Sequence, residues 1–137
     1  NIGTLTSEIA KDKKVRIIVH KYQINCADKF PKKFNGCCLD GRDITYKIIP
    51  DANFKFFITA SLKVRSLRRY RELRRLGKKI SLVEVKKSIK KRDYSDLNRR
   101  ISPLKRTKDS ILINTSNLTK KACFLKIKNI IEKDIKN

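Results

Sequence analysis

Residues 54–76 read FKFFITASLKVRSLRRYRELRRL, and this stretch decides the fold. Residues 54–59 are apolar or β-branched around a single lysine, a pattern typical of a buried strand. Ser61 is a good N-cap for a helix over 62–76, and Gly77 is suited to end that helix. A strand followed directly by a helix is the basic unit of a parallel α/β sheet.

The same alternation continues on both sides of this unit. Short apolar runs predict two further strands, at 37–40 and 111–114, and a turn over 50–53. Helices are predicted over 6–22, 82–92, 94–100 and from Thr119 towards the end of the chain. We also expect a polar connection over 28–35, which contains Pro31, and an extended residue before Pro103. The order predicts an α/β fold with a parallel sheet of three strands and flanking helices, a sheet that looks incomplete because no strand precedes the first helix.

Composition narrows the class of protein. The chain has 137 residues, with 36 Lys+Arg against 13 Asp+Glu and a formal net charge of +23. This length suits one domain or a piece of a larger one. No apolar run is long enough to span a membrane, and residues 1–4 lack a signal-peptide layout, so we expect a cytoplasmic location. Because the chain contains no Met, we expect the sequence to begin within a longer protein.

The cysteines do not predict a metal site. No pair among the four has CxxC spacing, and the chain has a single histidine, so we expect no zinc site. Cys37 and Cys38 lie in a short apolar run, and we expect both to be buried thiols.

Basic residues are concentrated between Lys63 and Lys108, and arginines dominate the helix predicted over 62–76. The expected partners are anions: nucleotide phosphates, nucleic acid or an acidic membrane surface. Few aromatic residues lie among these arginines, which argues against a nucleic-acid stacking platform. A solvated, charged helical face is the simpler interpretation.

Local constellations are more specific than bulk charge. Arg42 and Asp43 follow the strand predicted at 37–40, where open α/β sheets bind ligands, and offer donors and an acceptor to a cytosine or adenine base. An ion pair within the loop is the alternative. Arg92, Asp96 and Arg99 fall on one helical face and could grip a phosphate, or could form a ladder of ion pairs.

Together these motifs resemble the carboxy-terminal part of bacterial cytidylate kinases, which belong to the nucleoside monophosphate kinases of the P-loop NTPase group. The resemblance covers nearly the whole chain. It is carried by Leu39-Asp40-Gly41-Arg42-Asp43-Ile44, Pro50-Asp51-Ala52, Phe57-Ile58-Thr59-Ala60-Ser61, Arg65, Arg68-Arg69, Arg92-Asp93, Asp96, Asn98-Arg99, Ser102-Pro103-Leu104 and Ile113-Asn114-Thr115-Ser116-Asn117-Leu118-Thr119.

The resemblance implies transfer of the γ-phosphate of ATP to CMP or dCMP, giving CDP or dCDP, with Mg²⁺ accompanying ATP. It also implies a role for individual residues. Arg42 and Asp43 would read the cytosine, and Ser7 and Arg16 would be a serine and an arginine on the CMP side. Arg92, Asp96 and Arg99 would hold the ribose and phosphate of CMP. Arg68 would reach from the lid to ATP and, with Arg92 and Arg99, would be catalytic.

The same resemblance divides the chain into parts of a single kinase domain. Residues 1–35 would be the end of the CMP-binding insert and a connecting helix, and 36–68 the core strands. Residues 69–92 would be the lid, and 93–137 the CMP- and phosphate-side helix, the last strand and the terminal helix. We expect a monomer, or completion by a separate amino-terminal half, with no specific nucleic acid and no membrane as partners.

Some features depart from the family. The phosphate-binding pattern G-x-x-x-x-G-K-[ST] does not occur in the sequence, so the Mg²⁺ ligands that this loop supplies in the family are also missing. Thr45-Tyr46 replaces the usual Gly-Thr, and many lid carboxylates are Lys or Arg. We therefore expect the chain alone to bind CMP weakly and to transfer little phosphate. The alternatives are a non-catalytic basic module that binds nucleic acid or another polyanion, and a decayed, poorly folded kinase remnant.

Overall fold

The computed structural model describes residues 12–34 and 36–135. Two compact units divide the chain: Asn1–Asn53 with Arg92–Lys108, and Phe54–Lys91 with Asp109–Asn137. The elements found in the described residues, in chain order, are helix α1 (Lys13–Phe34), a π-helical turn (Ile44–Ile48), strand β1 (Phe56–Thr59), helices α2 (Leu62–Arg75) and α3 (Leu82–Asn98), strand β2 (Ile111–Asn114) and helix α4 (Lys120–Ile135).

The sheet belongs to the second unit. β1 and β2 run parallel, with Phe56 opposite Ile111 and Thr59 opposite Asn114. The Thr115 N–H donates to the Thr59 carbonyl at 2.7 Å, which continues the pairing beyond the last strand residue. Ile113 in β2 is fully buried. The predicted parallel α/β arrangement is confirmed at this level.

The strand predicted at 37–40 is wrong. Residues 36–40 form no regular secondary structure, so the sheet has two strands, not three, in the described part of the chain. Cys37 and Cys38 are exposed free thiols and not the buried pair that we expected. Three apolar residues are too short a run to indicate burial without a neighbouring strand, because periodicity cannot separate a short strand from a connecting segment.

The start and end of α2 follow the sequence signals. The Ser61 hydroxyl accepts a hydrogen bond from the Val64 N–H at 3.3 Å, which is N-cap geometry. Beyond Leu76, the Gly77 backbone adopts a φ of +72°, in the left-handed region that glycine enters without steric cost. The predicted helix over 62–76 is confirmed to within one residue.

α3 begins with the predicted capping box. The Ser81 N–H donates to Glu84 Oε2 at 2.8 Å, and the Glu84 N–H donates to Ser81 Oγ at 3.2 Å. The Ser81 hydroxyl also donates to Glu84 Oε2 at 2.7 Å, and this bond, together with the one from the Ser81 N–H, lowers the pKa of Glu84. The helices predicted over 82–92 and 94–100 are instead one helix ending at Asn98, since no Gly or Pro interrupts it.

α1 is longer than predicted. Asp12 Oδ1 accepts from the N–H groups of Lys14 and Val15, at 2.7 and 3.1 Å, and caps the helix start. The helix then continues through Pro31 to Phe34, so the connection predicted over 28–35 is wrong. Residues 6–11 of the predicted helix lie outside the described residues.

α4 is capped as predicted, by a hydrogen bond from the Ala122 N–H to the Thr119 hydroxyl at 3.1 Å. In the part of the chain that the structure describes, no helix has the length and apolar character needed to cross a membrane.

Candidate functional site

The candidate site lies in the first unit and centres on Asp43, the residue just before the π-helical turn. Its side chain is only 6% exposed. Asp43 Oδ2 lies 2.7 Å from Arg16 Nη2 and 2.9 Å from His20 Nε2. Arg16 and His20 are four residues apart on α1 and therefore share one helical face.

The chemistry of the three groups fixes the donor at His20. A carboxylate only accepts, so His20 Nε2 must carry a proton for its contact with Asp43 to be a hydrogen bond. Arg16 Nη2 lies 3.2 Å from the same nitrogen. A guanidinium only donates, so it competes with the His20 ring for the carboxylate and leaves Asp43 Oδ2 with two donors.

The electrostatics of this cluster keep Asp43 ionised. Burial raises the pKa of Asp43, but a hydrogen bond from Ser102 and the charges of Arg16 and His20 together lower it by more. The net result is a pKa below the ordinary value of 3.8. At neutral pH the group is therefore an acceptor with full negative charge.

A second carboxylate, Asp96, lies near the end of α3 and is also buried. Its Oδ2 accepts from Arg42 Nε at 3.0 Å and lies 3.8 Å from Arg92 Nε, while its Oδ1 lies 3.6 Å from Arg99 Nη1. The Arg92 side chain is 55% exposed, whereas that of Arg99 is nearly enclosed. Asp96 thus holds three guanidiniums, one of which faces solvent.

Ser102 connects the two carboxylate clusters. Its carbonyl accepts from Arg99 Nε at 2.6 Å, and its hydroxyl accepts from Lys47 Nζ at 3.2 Å while also reaching Asp43. Its φ of +52° is in the left-handed region, so the expected extended residue before Pro103 is wrong. These three contacts hold a conformation that a non-glycine residue rarely adopts.

The loop and the π-helical turn are tied to the same segment. The Tyr46 hydroxyl donates to the Pro103 carbonyl at 2.6 Å, and the Leu104 N–H donates to the Asp96 carbonyl at 2.6 Å.

Burial lowers the pKa of Arg99, as do the charges of Arg16 and Arg42, whereas Asp96 and Asp43 act in the opposite direction. Even so, a guanidinium stays charged in proteins.

Most of the sequence-predicted residues therefore meet in one place. Arg42 and Asp43, adjacent in sequence, do not pair with each other: Asp43 binds Arg16, and Arg42 binds Asp96. The ion-pair contacts expected among Arg92, Asp96 and Arg99 are present. Ser7 lies outside the described residues. The residues brought together are Arg16, Arg42, Asp43, Arg92, Asp96 and Arg99.

Arg68 is in the second unit and is bound to the turn that follows β2. Its Nη1 donates to Thr115 Oγ1 at 3.1 Å, and its Nη2 donates to the carbonyls of Thr115 and Leu118 at 2.7 and 3.0 Å. The Thr115 hydroxyl donates in turn to the Thr59 carbonyl at 3.1 Å. In this structure Arg68 stabilises the end of the sheet.

Sequence reasoning missed His20, Ser102 and Lys47. The signal for His20 was its position four residues after Arg16, since a polar residue at that spacing shares the face of the arginine. The role of Ser102 had no local signal, because two of its partners, Lys47 and Asp43, lie far away in the chain and only Arg99 is close to it in sequence. Among the described residues, no group of three or more His, Cys, Asp or Glu side chains is arranged to hold a metal ion.

The chain is similar in sequence to known proteins of one family. A family model described as Cytidylate kinase matches residues 1–133. The chain is 46% identical over 133 residues to a cytidylate kinase from Clostridium botulinum (strain Okra / Type B1), covering 97% of this chain and 59% of that relative. It is 38% identical over 135 residues to the cytidylate kinase of Clostridium tetani, covering 98% of this chain and 58% of the relative. It therefore spans less than two thirds of the length of these curated relatives.

The described elements form an α/β arrangement with a small parallel sheet, consistent with the P-loop NTPase fold that this family implies. The chain belongs to the cytidylate kinase family.

Proposed function

We propose that the charged cluster of the first unit is the CMP-binding site of a nucleotide kinase, which transfers the γ-phosphate of ATP to CMP or dCMP. One observation carries the proposal: the guanidiniums of four arginines surround two buried carboxylates. The four are Arg16, Arg42, Arg92 and Arg99. The four guanidiniums exceed the two carboxylates by two positive charges. This excess matches a phosphate monoester, which carries about −1.5 to −2 at neutral pH.

Asp43 is the proposed reader of the base. Its lowered pKa supports an ionised acceptor, which suits the exocyclic amine of cytosine. Uracil presents a carbonyl oxygen at that position, and two acceptors repel each other, so discrimination comes from the penalty on the wrong base. Arg16 and Arg42 supply donors for the carbonyl and ring nitrogen of cytosine, and Ser7 is proposed to act with them.

Arg92, Asp96 and Arg99 are the proposed phosphate and ribose site. Asp96 holds the guanidiniums in position before the ligand arrives, which reduces the entropy lost on binding. The Arg92 guanidinium is exposed, so a phosphate can reach it without any rearrangement of the enclosed Asp96 and Arg99 side chains. Forked arginine donors suit the oxygen atoms of a phosphate.

Phosphoryl transfer relies on positioning and electrostatic stabilisation, so arginines suffice for much of the protein's contribution. We propose Arg92 and Arg99 as catalytic through contacts with the accepting phosphate, and Arg68 through the phosphates of ATP. Arg68 would have to exchange hydrogen bonds at Thr115 and Leu118 for that role. ATP would supply the transferred group with Mg²⁺ as counter-charge. The described residues offer no metal ligand set, so we assign no Mg²⁺ contact.

The remaining assignments also stay proposals. They are a single kinase domain with a three-layer sheet, a connecting helix over 1–35, core strands over 36–68, a lid over 69–92 and a phosphate-side segment over 93–137. Closure of the lid would exclude water from the reacting groups. We place the protein in the cytoplasm, as a monomer or completed by a separate amino-terminal half. Because the 137 residues contain no G-x-x-x-x-G-K-[ST] loop, we expect them to bind CMP without turnover on their own.

Calorimetric titration of the chain with CMP, dCMP and UMP tests the proposal. CMP is expected to bind more tightly than UMP, and the variant Asp43→Asn is expected to remove most of that preference. Asp40→Asn is the matched control, because Asp40 is an exposed carboxylate in the same loop. Equal affinities for CMP and UMP in the unmodified chain would contradict the proposal.

A second candidate function is polyanion binding by the second unit. Arginines on α2, among them Arg71, Arg74 and Arg75, are exposed. Titration with single-stranded RNA at two salt concentrations tests it, since phosphate contacts give steeply salt-dependent affinity. Tight, salt-sensitive RNA binding together with equal CMP and UMP affinities would favour this function. Absence of a cooperative thermal transition would instead favour a decayed remnant.

A further inference from the structure

His20 is the group in the first unit that the proposed function leaves without a role. It is the single histidine of the chain, and its side chain is only 14% exposed. The family resemblance assigned it nothing. Its Nε2 nevertheless lies 2.9 Å from Oδ2 of Asp43, the carboxylate to which we assign base recognition.

The number of donors around Asp43 makes this contact informative. A carboxylate offers about four lone-pair positions. Protein donors take three of them: Arg16 Nη2, His20 Nε2 and the Ser102 hydroxyl. The acceptor capacity that remains is therefore small, and its direction is set by where the protein donors attach.

Of the donors on Oδ2, the imidazole is the stiffer. A histidine ring has two side-chain torsions and donates along one line from Nε2, whereas an arginine has four torsions and donates from several nitrogen atoms. Arg16 and His20 lie one turn apart on α1, so both can contact the Asp43 side chain. The ring therefore constrains the orientation of the carboxylate more than the Arg16 guanidinium does.

We propose that His20 is a positioning residue of the nucleobase site: its Nε2–H holds Oδ2 of Asp43 and directs the remaining acceptor position of the carboxylate at the exocyclic amine of the base. The proposal rests on the CMP-binding function proposed above. It assigns His20 to base selectivity and not to phosphate binding, since its contacts are with Arg16 and Asp43.

A purely structural role would have a different signature. If His20 only stabilised the fold, its removal would lower the thermal midpoint and weaken CMP and UMP binding by the same factor. A positioning role changes the ratio of the two affinities. It also predicts rescue by glutamine, whose side-chain amide N–H can donate where the imidazole did.

The experiment compares the chain with His20→Leu, His20→Gln and the control Lys21→Leu, which removes an exposed polar side chain next in sequence. Calorimetric titration is expected to show CMP binding weakened about tenfold in His20→Leu with UMP binding unchanged, as for loss of one hydrogen bond to a charged group. His20→Gln should recover most of the CMP-to-UMP ratio, and Lys21→Leu should not alter it. An equal loss for both nucleotides, or no rescue by glutamine, would overturn the proposal.

A second measurement does not depend on CMP. Carbon-13 NMR titration of the Asp43 carboxyl should show its pKa raised in His20→Leu, less so in His20→Gln, and unchanged in Lys21→Leu. Arg16 and Ser102 remain beside Asp43 in all three variants, so they do not cause the difference. An unchanged Asp43 titration in His20→Leu overturns the coupling, whereas equal CMP and UMP affinities in the unmodified chain overturn the proposed function. If His20→Leu does not fold, His20→Gln is used for both measurements. Loss of the CMP-to-UMP affinity ratio in His20→Gln would contradict the donor role of His20.

Discussion

Arg42 Nε donates to Asp96 Oδ2 over 3.0 Å, and this ion pair joins the loop after α1 to the last turns of α3. The two residues are 54 positions apart in the chain. Asp96 also faces Arg92 and Arg99, so one buried carboxylate orders three guanidiniums. Their arrangement therefore depends in part on the Asp96 carboxylate.

The first prediction concerns that dependence. Asp96→Asn keeps the shape of the side chain but removes its charge, leaving the nearly enclosed Arg99 without its counter-charge. We expect a loss of about 1–3 kcal/mol in the free energy of unfolding, measured by urea denaturation, and weaker CMP binding. Asp51→Asn, which removes an exposed carboxylate in the same unit, should leave both quantities unchanged. Equal effects of the two changes would contradict the ordering role of Asp96.

The second prediction is the pH dependence that follows from Asp43. Its pKa in the folded chain is below the ordinary 3.8, so folding favours the ionised form. The resulting stabilisation is fully present above pH 3.8 and is lost as the pH falls through the folded-state value. Urea denaturation between pH 2 and pH 7 should show the advantage of the unmodified chain over Asp43→Asn shrinking in acid. A difference that stays constant with pH would contradict the pKa assignment.

The third prediction separates packing from helix propensity on α3. Val85 is 2% exposed and Val83 is 76% exposed, and both lie in the first turns of the same helix. Val85→Ala should cost about 1–2 kcal/mol of unfolding free energy, for two buried methyl groups. Val83→Ala removes the same atoms from solvent and should be neutral or slightly stabilising, because alanine favours helix. Thermal or urea denaturation measures both, and a larger loss in Val83→Ala would be inconsistent with the burial.

The fourth prediction tests the structural role of Arg68. Arg68→Ala removes three hydrogen bonds to the turn after β2, so we expect a loss of about 1–3 kcal/mol in the free energy of unfolding. Arg71→Ala changes an exposed arginine of the same helix and should cost less than about 0.5 kcal/mol. The two variants are compared by urea denaturation. Equal, small effects would mean that Arg68 is free for another role.

Features set by neighbouring residues were predictable from the sequence. The caps at Ser61, Ser81 and Thr119 depend on residues within one turn, and all three form as predicted. The extent of α1 was not predictable in this way, because Pro31 and the charged residues around it indicate a loop by local rules. The run at 37–40 was misread for the opposite reason, since its apolar residues suggested a buried strand.

Some members of the charged cluster were singled out from the sequence, but their pairing was not. The i, i+4, i+7 spacing of Arg92, Asp96 and Arg99 correctly predicted that they lie together at the end of α3. That Asp43 binds Arg16, 27 residues away, while Arg42 binds Asp96 instead, depends on tertiary structure that no local pattern encodes. The roles of His20 and Ser102 emerge only from those long-range contacts.

The parallel pairing of β1 with β2 also determines when during synthesis the sheet can form. Phe56 meets Ile111 only after every residue of α2 and α3 has been made. At about 5–20 residues per second, a ribosome takes roughly 3–11 s to cover that interval. The apolar Phe56–Thr59 segment waits for its partner during those seconds, and such non-local pairing is intrinsically slow. The vulnerable period for aggregation of this chain is therefore during its synthesis, before β2 leaves the ribosome.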